Sequence, residues 1–406
     1  MWKFPAVSET FILAQIATAI KAGLEVKILI NDKPEVLDNS IHHEFIEKYE
    51  LRNKVIFENL GIPENKFRRL FMGFWLLIRN FRYAHKIYRY FQHKKFRDLN
   101  IIFEINFYKN FRKYDLIHIQ YGTNAKPIDL LKKIGLLKST IIVSFHGHDL
   151  FFPINGFIRN ENYYDVLFAQ ADRLIANTPY LENLLLDLGA FREKLITIPV
   201  GVDNEFFSPC LDEEKTINEI RLISVGRLVK FKGHINGILS VKNLRDKGYN
   251  VLYTIIGSGD QLQTLNEAIR KNKLTENVKL LGTMSSREIR DNLRLHDLFL
   301  MTSVTDPNYG VETQGLVTAE AQACGLPVIA FDSGGVKYTL QDGISGFLVK
   351  EGDIEAMTNK LERLINDNIL RKKMSKSGIK FINEEYSQKH IDKKWMEEYY
   401  KLINDL

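Results

Sequence analysis

The chain has 406 residues, 45% hydrophobic and 26% charged, with a formal net charge of +6. The composition is that of a soluble globular protein, and the length suits two domains. Cys210 and Cys324 lie far apart without metal spacing, which argues against a zinc or disulfide framework and fits a reducing compartment.

The charge is uneven: residues 51–113 carry 15 basic and 4 acidic groups, while the second half is nearly balanced. A local excess of this kind points to an anionic partner, a nucleic acid or a membrane face. The amino end has no long apolar run, so no signal peptide is expected. The longest apolar block, residues 70–78, is about nine residues, far below the roughly 20 that span a bilayer.

In chain order, residues 8–30 read as a helix and then a strand. Ser8 is a good N-cap, and Phe11, Ile12, Ile16, Ala19 and Ile20 repeat at helical spacing. Gly23 ends the helix. Ser8 and the amides beside it suit either a simple cap or an anion at the helix N-terminus. Only residues 1–4 precede Pro5, so the first strand is very short or the start of the chain is truncated.

Residues 66–97 hold ten basic residues, ten aromatic ones and no acid. Such a stretch suits an amphipathic helix pair lying on an anionic bilayer. The alternative is a solvated basic face whose apolar side packs on the domain. It matches none of the usual RNA modules, and no nucleic acid is expected.

Residues 116–120 and 141–145 read as buried strands, and the second runs into His146, Gly147, His148 and Asp149. A polar loop at the carboxyl end of a strand is where α/β proteins bind ligands. These side chains are candidates for a ligand site. A metal would need further ligands that the sequence does not offer, and a structural histidine at a strand end is the other reading. Residues 173–176 form another strand. Asn177 at its tip either lines the cleft or caps the next helix.

Residues 195–199 form a strand that closes the first domain, expected over 1–203. Residues 204–218 read as a linker, 219–383 as the second domain, and 384–406 as a last helix. The second domain opens with a strand at 220–225, leading into Gly226 and Arg227 and on to Lys232. Two fixed cations bracketing one loop would stabilise a diphosphate as charge grows on it. Further strands at 251–256, 278–282 and 298–302 alternate with helices, which predicts two parallel sheets covered on both sides. The glycine pair at 257 and 259 lacks the third glycine of a dinucleotide fingerprint.

The stretch 305–337 is the most informative. Glu312 and Glu320 have seven residues between them. On one helix they would lie roughly 12 Å apart along the axis and about 80° around it, so no single small group touches both. Glu312 is expected in the loop and Glu320 in the second turn of a helix that starts after Gly315. Gly325 and Pro327 end that helix. Two bare glutamates at one spacing are also compatible with surface acids.

Glu312, Glu320, Ala321, Gly325, Leu326, Pro327, Val328 and the pair Gly334–Gly335 together resemble the signature of family 4 retaining glycosyltransferases. The earlier motifs fall in the order that family places them. The resemblance implies the GT-B fold, two Rossmann-like doubly wound α/β domains facing a central cleft. It implies a nucleotide-sugar donor, UDP- or GDP-linked, and no metal or other cofactor. Arg227 and Lys232 would hold the diphosphate, with Gly226 turning the chain beside it. Glu320 would hold the ribose and Glu312 the transferred sugar. Amides of Gly315, Leu316 and Val317 would face the phosphate, and Gly282 the base. His146 would sit near the reacting carbon, His148, Asp149 and Asn177 on the acceptor side, and Ser8 near the donor phosphates.

The last helix would cross back to the first domain through Trp395, Tyr399, Tyr400 and Leu402. The segment around Ser8 is similar to polysaccharide-assembly members, which implies a glycan or lipid-linked glycan acceptor. The location implied is cytoplasmic, at the inner face of the cell membrane, with residues 66–97 touching it. A sugar-nucleotide epimerase of the same fold and an inactive subunit of an assembly complex are the alternatives. Lys337 stands where the family often has proline.

Overall fold

A computed structural model describes residues 10–31, 43–93, 100–151, 162–210, 219–307 and 310–404. The chain divides into two units. One is Met1–Ala176 with Glu182–Ile196 and Lys394–Leu406, the other Asn177–Leu181 with Thr197–Lys393. Twelve strands are described: β1 (Ile28–Ile30), β2 (Val55–Phe57), β3 (Leu116–Gln120), β4 (Thr140–Ser144), β5 (Arg173–Ala176), β6 (Leu195–Thr197), β7 (Ile220–Val225), β8 (Val251–Ile256), β9 (Val278–Leu280), β10 (Leu298–Met301), β11 (Val328–Asp332) and β12 (Gly346–Lys350). Every described register is parallel.

In the first unit the sheet order is β3-β4-β5-β6, with β1 and β2 forming a separate pair. All five residues of β4 are buried, as a strand covered on both faces requires. A cavity of about 410 Å³ is lined by Ile28 and Leu29 of β1 and Ile117 and Ile119 of β3. Ser8 and the short first strand expected before it lie outside the described residues. The unit's last helical segment is fixed by its aromatic residues. Tyr399 bonds His118 at 3.0 Å, Trp395 packs on the same ring at 5.1 Å, and Tyr400 donates to the Ala22 carbonyl at 3.0 Å. Glu398 pairs with Arg173 at 2.8 Å.

In the second unit the order is β9-β8-β7-β10-β11-β12. Counted from its own first strand, that is 3-2-1-4-5-6, the doubly wound order. The chain reverses direction across the sheet between β7 and β10. Strands β8, β10 and β11 are almost wholly buried, and their Ile, Leu and Val side chains fill the layers on both faces.

Residues 204–210 of the expected linker pack on the second unit. Phe207 is buried in the second unit's core, and Arg294 donates to the Ser208 carbonyl at 2.6 Å. Residues 211–218 lie outside the described residues. Thr197 onward joins the second unit, before the boundary expected at 203. The reason is Gln314, whose amide donates to the Val200 carbonyl and accepts from its N–H, both at 2.9 Å. No described helix is long and apolar enough to cross a membrane.

Candidate functional site

The switch point between β7 and β10 is where a doubly wound sheet opens for a ligand. Two loops meet there. The loop after β7 carries Gly226, Arg227 and Lys232. The loop after β10 carries Thr302 and runs on to Glu312. Two hydrogen bonds join them: Val304 N–H donates to the Phe231 carbonyl at 2.7 Å, and the Thr302 hydroxyl to the Lys232 carbonyl at 3.1 Å. The Lys232 ammonium forms an ion pair with the Glu312 carboxylate, 80 residues away in sequence. Their side chains are only 15% and 16% exposed, so the pair sits in a partly dehydrated recess.

Glu312 lies in the loop and Glu320 in the second turn of the helix Leu316–Ala323. Gly315 starts that helix in the left-handed region, at φ 80°. The Glu312 loop is held from behind by the glycine pair. Gly335 N–H donates to the Glu312 carbonyl at 2.8 Å, and a Cβ on Gly335 would lie 1.8 Å from the Thr313 carbonyl oxygen. Any side chain there pushes the loop away. Leu316 and Val317 pack on the core from the first turn, and their amides belong to the helix end that lacks intrahelical acceptors.

Glu320 is half-buried and has no hydrogen-bond donor among the described residues. Burial pushes its pKa up to about 7. A carboxylate left without donors in such a place is ready to accept from hydroxyl groups. Arg227 is exposed, makes no ion pair among the described residues, and lies over the Phe231 ring at 5.8 Å.

The sequence reading missed His234. It is buried under the cation loop and bonds the Arg227 carbonyl through Nε2 at 3.3 Å. Burial, then the neighbouring Lys232 charge, lowers its pKa to about 4, so it is neutral at pH 7. Nothing in a lone histidine after Gly233 signals that role. Gly226 and Leu228 are tied to β8 and the following loop, through Ile256 at 2.9 Å and Ser258 at 2.8 Å. The Gly282 carbonyl accepts from Gly257 at 2.8 Å, which sets the carboxyl end of β9 beside the same loop.

Asn177 and Thr178 belong to the second unit. The Asn177 amide reaches the Thr313 hydroxyl at 3.3 Å, and the Thr178 hydroxyl donates to the Thr313 carbonyl at 2.7 Å. Thr178, not Asn177, accepts from Leu181 at the start of the helix Pro179–Asp187.

In the first unit, His146 follows β4 between the rings of Phe11 and Tyr121, at 4.7 and 4.8 Å. It meets Gln120 Oε1 at 3.0 Å, and burial lowers its pKa to about 3. Asp149 is buried, its pKa pushed up to about 6 by desolvation and held back by backbone N–H groups. It accepts from Gly122 at 2.8 Å and His146 at 3.1 Å, so it shapes the loop. His148 is exposed on the short helix His148–Phe151. Ser8 lies outside the described residues. Among them, no group of three or more His, Cys, Asp or Glu is placed to hold a metal ion.

Two family patterns match the chain in succession. Residues 8–206 match the one described as Glycosyltransferase Family 4, and residues 211–381 the one described as Glycosyl transferases group 1. The amylovoran biosynthesis glycosyltransferase AmsK of Erwinia amylovora is 27% identical over 89% of this chain and 88% of its own. The putative colanic acid biosynthesis glycosyltransferase WcaL of Escherichia coli K12 is 28% identical over 88% of each. Among solved structures, Anabaena Alr3699/HepE in complex with UDP superposes with a TM-score of 0.72 at 16% identity, over 98% of both chains. The same protein in complex with UDP-glucose gives 0.69.

Proposed function

This chain belongs to the family 4 glycosyltransferases and has the GT-B fold, its second half matching glycosyl transferases group 1, and from that premise we propose that it moves a sugar, with retention, from a UDP- or GDP-linked donor to a glycan or lipid-linked glycan. The observation that carries the reading is the Lys232–Glu312 pair at the switch point of the second sheet. One partner suits a diphosphate oxygen and the other a sugar hydroxyl. The biosynthetic roles of AmsK and WcaL, in amylovoran and colanic acid, support assembly of a surface polysaccharide, and the HepE complexes support a nucleotide-sugar donor.

Charge governs the mechanism. As the bond from the anomeric carbon to the diphosphate breaks, negative charge grows on the leaving oxygen. Arg227 and Lys232 stabilise it where it develops, and the first amides of the helix at Leu316 add their dipoles. No metal is required for that role. Glu320 accepts from the ribose hydroxyls, and Glu312, released from Lys232 by the arriving phosphate, accepts from the sugar. His146 of the first unit is neutral at pH 7, so any part it takes is as a hydrogen-bonding group and not as a charge. The acceptor oxygen bonds to the anomeric carbon on the face that the phosphate leaves, and its proton passes to the departing phosphate oxygen. The acceptor is presented at an anionic membrane, on its cytoplasmic face.

The test is turnover of a panel of UDP- and GDP-sugars by the full chain, with the product anomer read by NMR. One donor is expected to be consumed with its configuration retained. Arg227→Ala and Lys232→Ala are each expected to lower turnover by about 10²–10³-fold with the fold retained, the melting curve unchanged in the first and lowered in the second, which leaves Glu312 unpaired. Near-normal turnover in both variants refutes the phosphate assignment.

A further inference from the structure

The helix Lys66–Arg79 presents its apolar stripe outward. Phe67, Leu70, Phe71, Phe74, Trp75 and Ile78 are 51–85% exposed, and Phe81, just beyond the helix end, is 71% exposed. These positions recur at three and four residues. At about 100° per residue they cover an arc of roughly 140° on one face. An isolated exposed leucine means little, whereas a contiguous aromatic face marks an interaction surface.

The rotation of this helix about its axis is fixed by its inner side. Gly73 faces Phe103 of the helix Ile101–Tyr108, Leu76 is 5% exposed, and Arg69 Nε donates to the Pro63 carbonyl at 2.8 Å. Asn80 at the helix end is buried. It donates to the Leu76 carbonyl and accepts from the Lys109 ammonium, both at 2.8 Å. Turning the stripe inward would break each of these.

Cations flank the stripe on both sides. Arg68 and Arg79 lie about 100° and 120° from Phe67 one way, and Lys66 about 100° the other. Arg79 stacks on Trp75 at 5.2 Å. Exposed Arg82 and Arg89 follow, and residues 66–93 contain no acid. Lys86, Arg89, Arg112 and Lys138 stand close enough that, after burial, the three other charges lower the Lys86 pKa.

We propose that this face is a docking surface for an anionic lipid bilayer, with the Phe67–Phe81 stripe lying in the acyl boundary and the flanking cations on lipid phosphates. Charge decides between partners of this shape. An apolar crest between two cationic margins matches the depth profile of an anionic membrane, apolar below and negative at the level of the margins. The inference deepens the reading of a membrane-presented acceptor and rests on it for its biological purpose, but the surface is tested without the acceptor.

The full chain is mixed with vesicles of phosphatidylcholine alone or with about one third phosphatidylglycerol, and partitioning is read by sedimentation. Binding is expected to need the anionic lipid and to weaken with salt. Phe71→Gln with Phe74→Gln is expected to cut it about tenfold. Arg68→Gln with Arg79→Gln is expected to cut it about 30-fold and flatten the salt dependence. Brominated lipid is expected to quench the wild type and to lose that quenching in Trp75→Phe. Phe67→Gln with Leu70→Gln repeats the test at the other end of the stripe should the first pair melt early.

Donor hydrolysis is expected to be unchanged in all these variants. A wild type that turns over no donor of the panel, with or without acceptor, refutes the catalytic reading and leaves partitioning to be scored by itself. Equal partitioning by wild type and phenylalanine variants overturns the docking surface. So does binding to heparin without binding to vesicles, the behaviour of a nucleic-acid or acidic-protein site.

Discussion

Replacing Glu320 by glutamine tests the site through stability as well as binding. Burial raises the carboxyl pKa from its ordinary 4.5 to about 7, so the folded unit holds a proton that the unfolded chain has released. Below pH 4.5 both states are protonated and the group costs nothing. Between pH 4.5 and 7 the folded state binds more protons, and stability falls as pH rises. Above pH 7 the cost levels off. At about 1.4 kcal/mol for each tenfold in proton affinity, the limit is about 3 kcal/mol. The side chain is half-buried, and its remaining contact with water lowers the expectation to about 2 kcal/mol.

Glu320→Gln removes the titration at nearly constant shape. The variant is expected to melt with the wild type at pH 4.5 and about 4–8 °C above it at pH 8, for a unit of roughly 200 residues. Nucleotide affinity is expected to move the opposite way. Ribose hydroxyls favour the ionised carboxylate, so wild-type affinity for UDP or GDP rises between pH 6 and 7.5, while the variant binds weakly and without that dependence. Scanning calorimetry and titration calorimetry across pH read both effects. An equal stability difference at pH 4.5 and 8, or none at either, refutes the burial argument. Unchanged nucleotide affinity refutes the ribose role.

Glu312→Gln removes the internal competitor for Lys232. Free UDP or GDP is expected to bind at least as tightly by calorimetry, while sugar transfer falls by about 10²-fold. Gly335→Ala drives a methyl into the Thr313 carbonyl, and is expected to destabilise the second unit by about 1–3 kcal/mol and to slow transfer, by melting and turnover. His118 is half-buried between Tyr399 and Ser144 at 3.0 and 2.8 Å, with its pKa lowered to about 3 by desolvation first and the nearby His146 second. That stability is present above pH 6.5 and is lost as pH falls toward 3. His118→Gln is expected to remove about 2 kcal/mol of the acid dependence by pH 5, read by denaturant melts at pH 7 and 5.

Strand and helix alternation, the loop place of Glu312 and the helix place of Glu320 were legible in the sequence. Each depends on residues a few positions apart: period-2 and period-3.6 patterns, the glycine at 315, and the Gly-Leu-Pro stop at 325–327. The cation loop was legible for the same reason, since Gly226, Arg227 and Lys232 follow one strand. What needed tertiary structure is what joins distant residues. The Lys232–Glu312 pair spans 80 positions, and the fit of Gly335 on Thr313 depends on how two turns approach. His234 acquires its role only because the loop folds over it.

The basic aromatic stretch draws the line most sharply. Its composition and spacing fix an amphipathic helix, with phenylalanines on one side and cations along the margins. Periodicity sets the angle between side chains on a helix, but not the angle of the helix to its neighbours. Gly73, Leu76 and Asn80 set that second angle by packing inward. The sequence alone therefore determined that an apolar face exists. Only the packed structure decided that it points away from the protein, where water or a membrane must cover it.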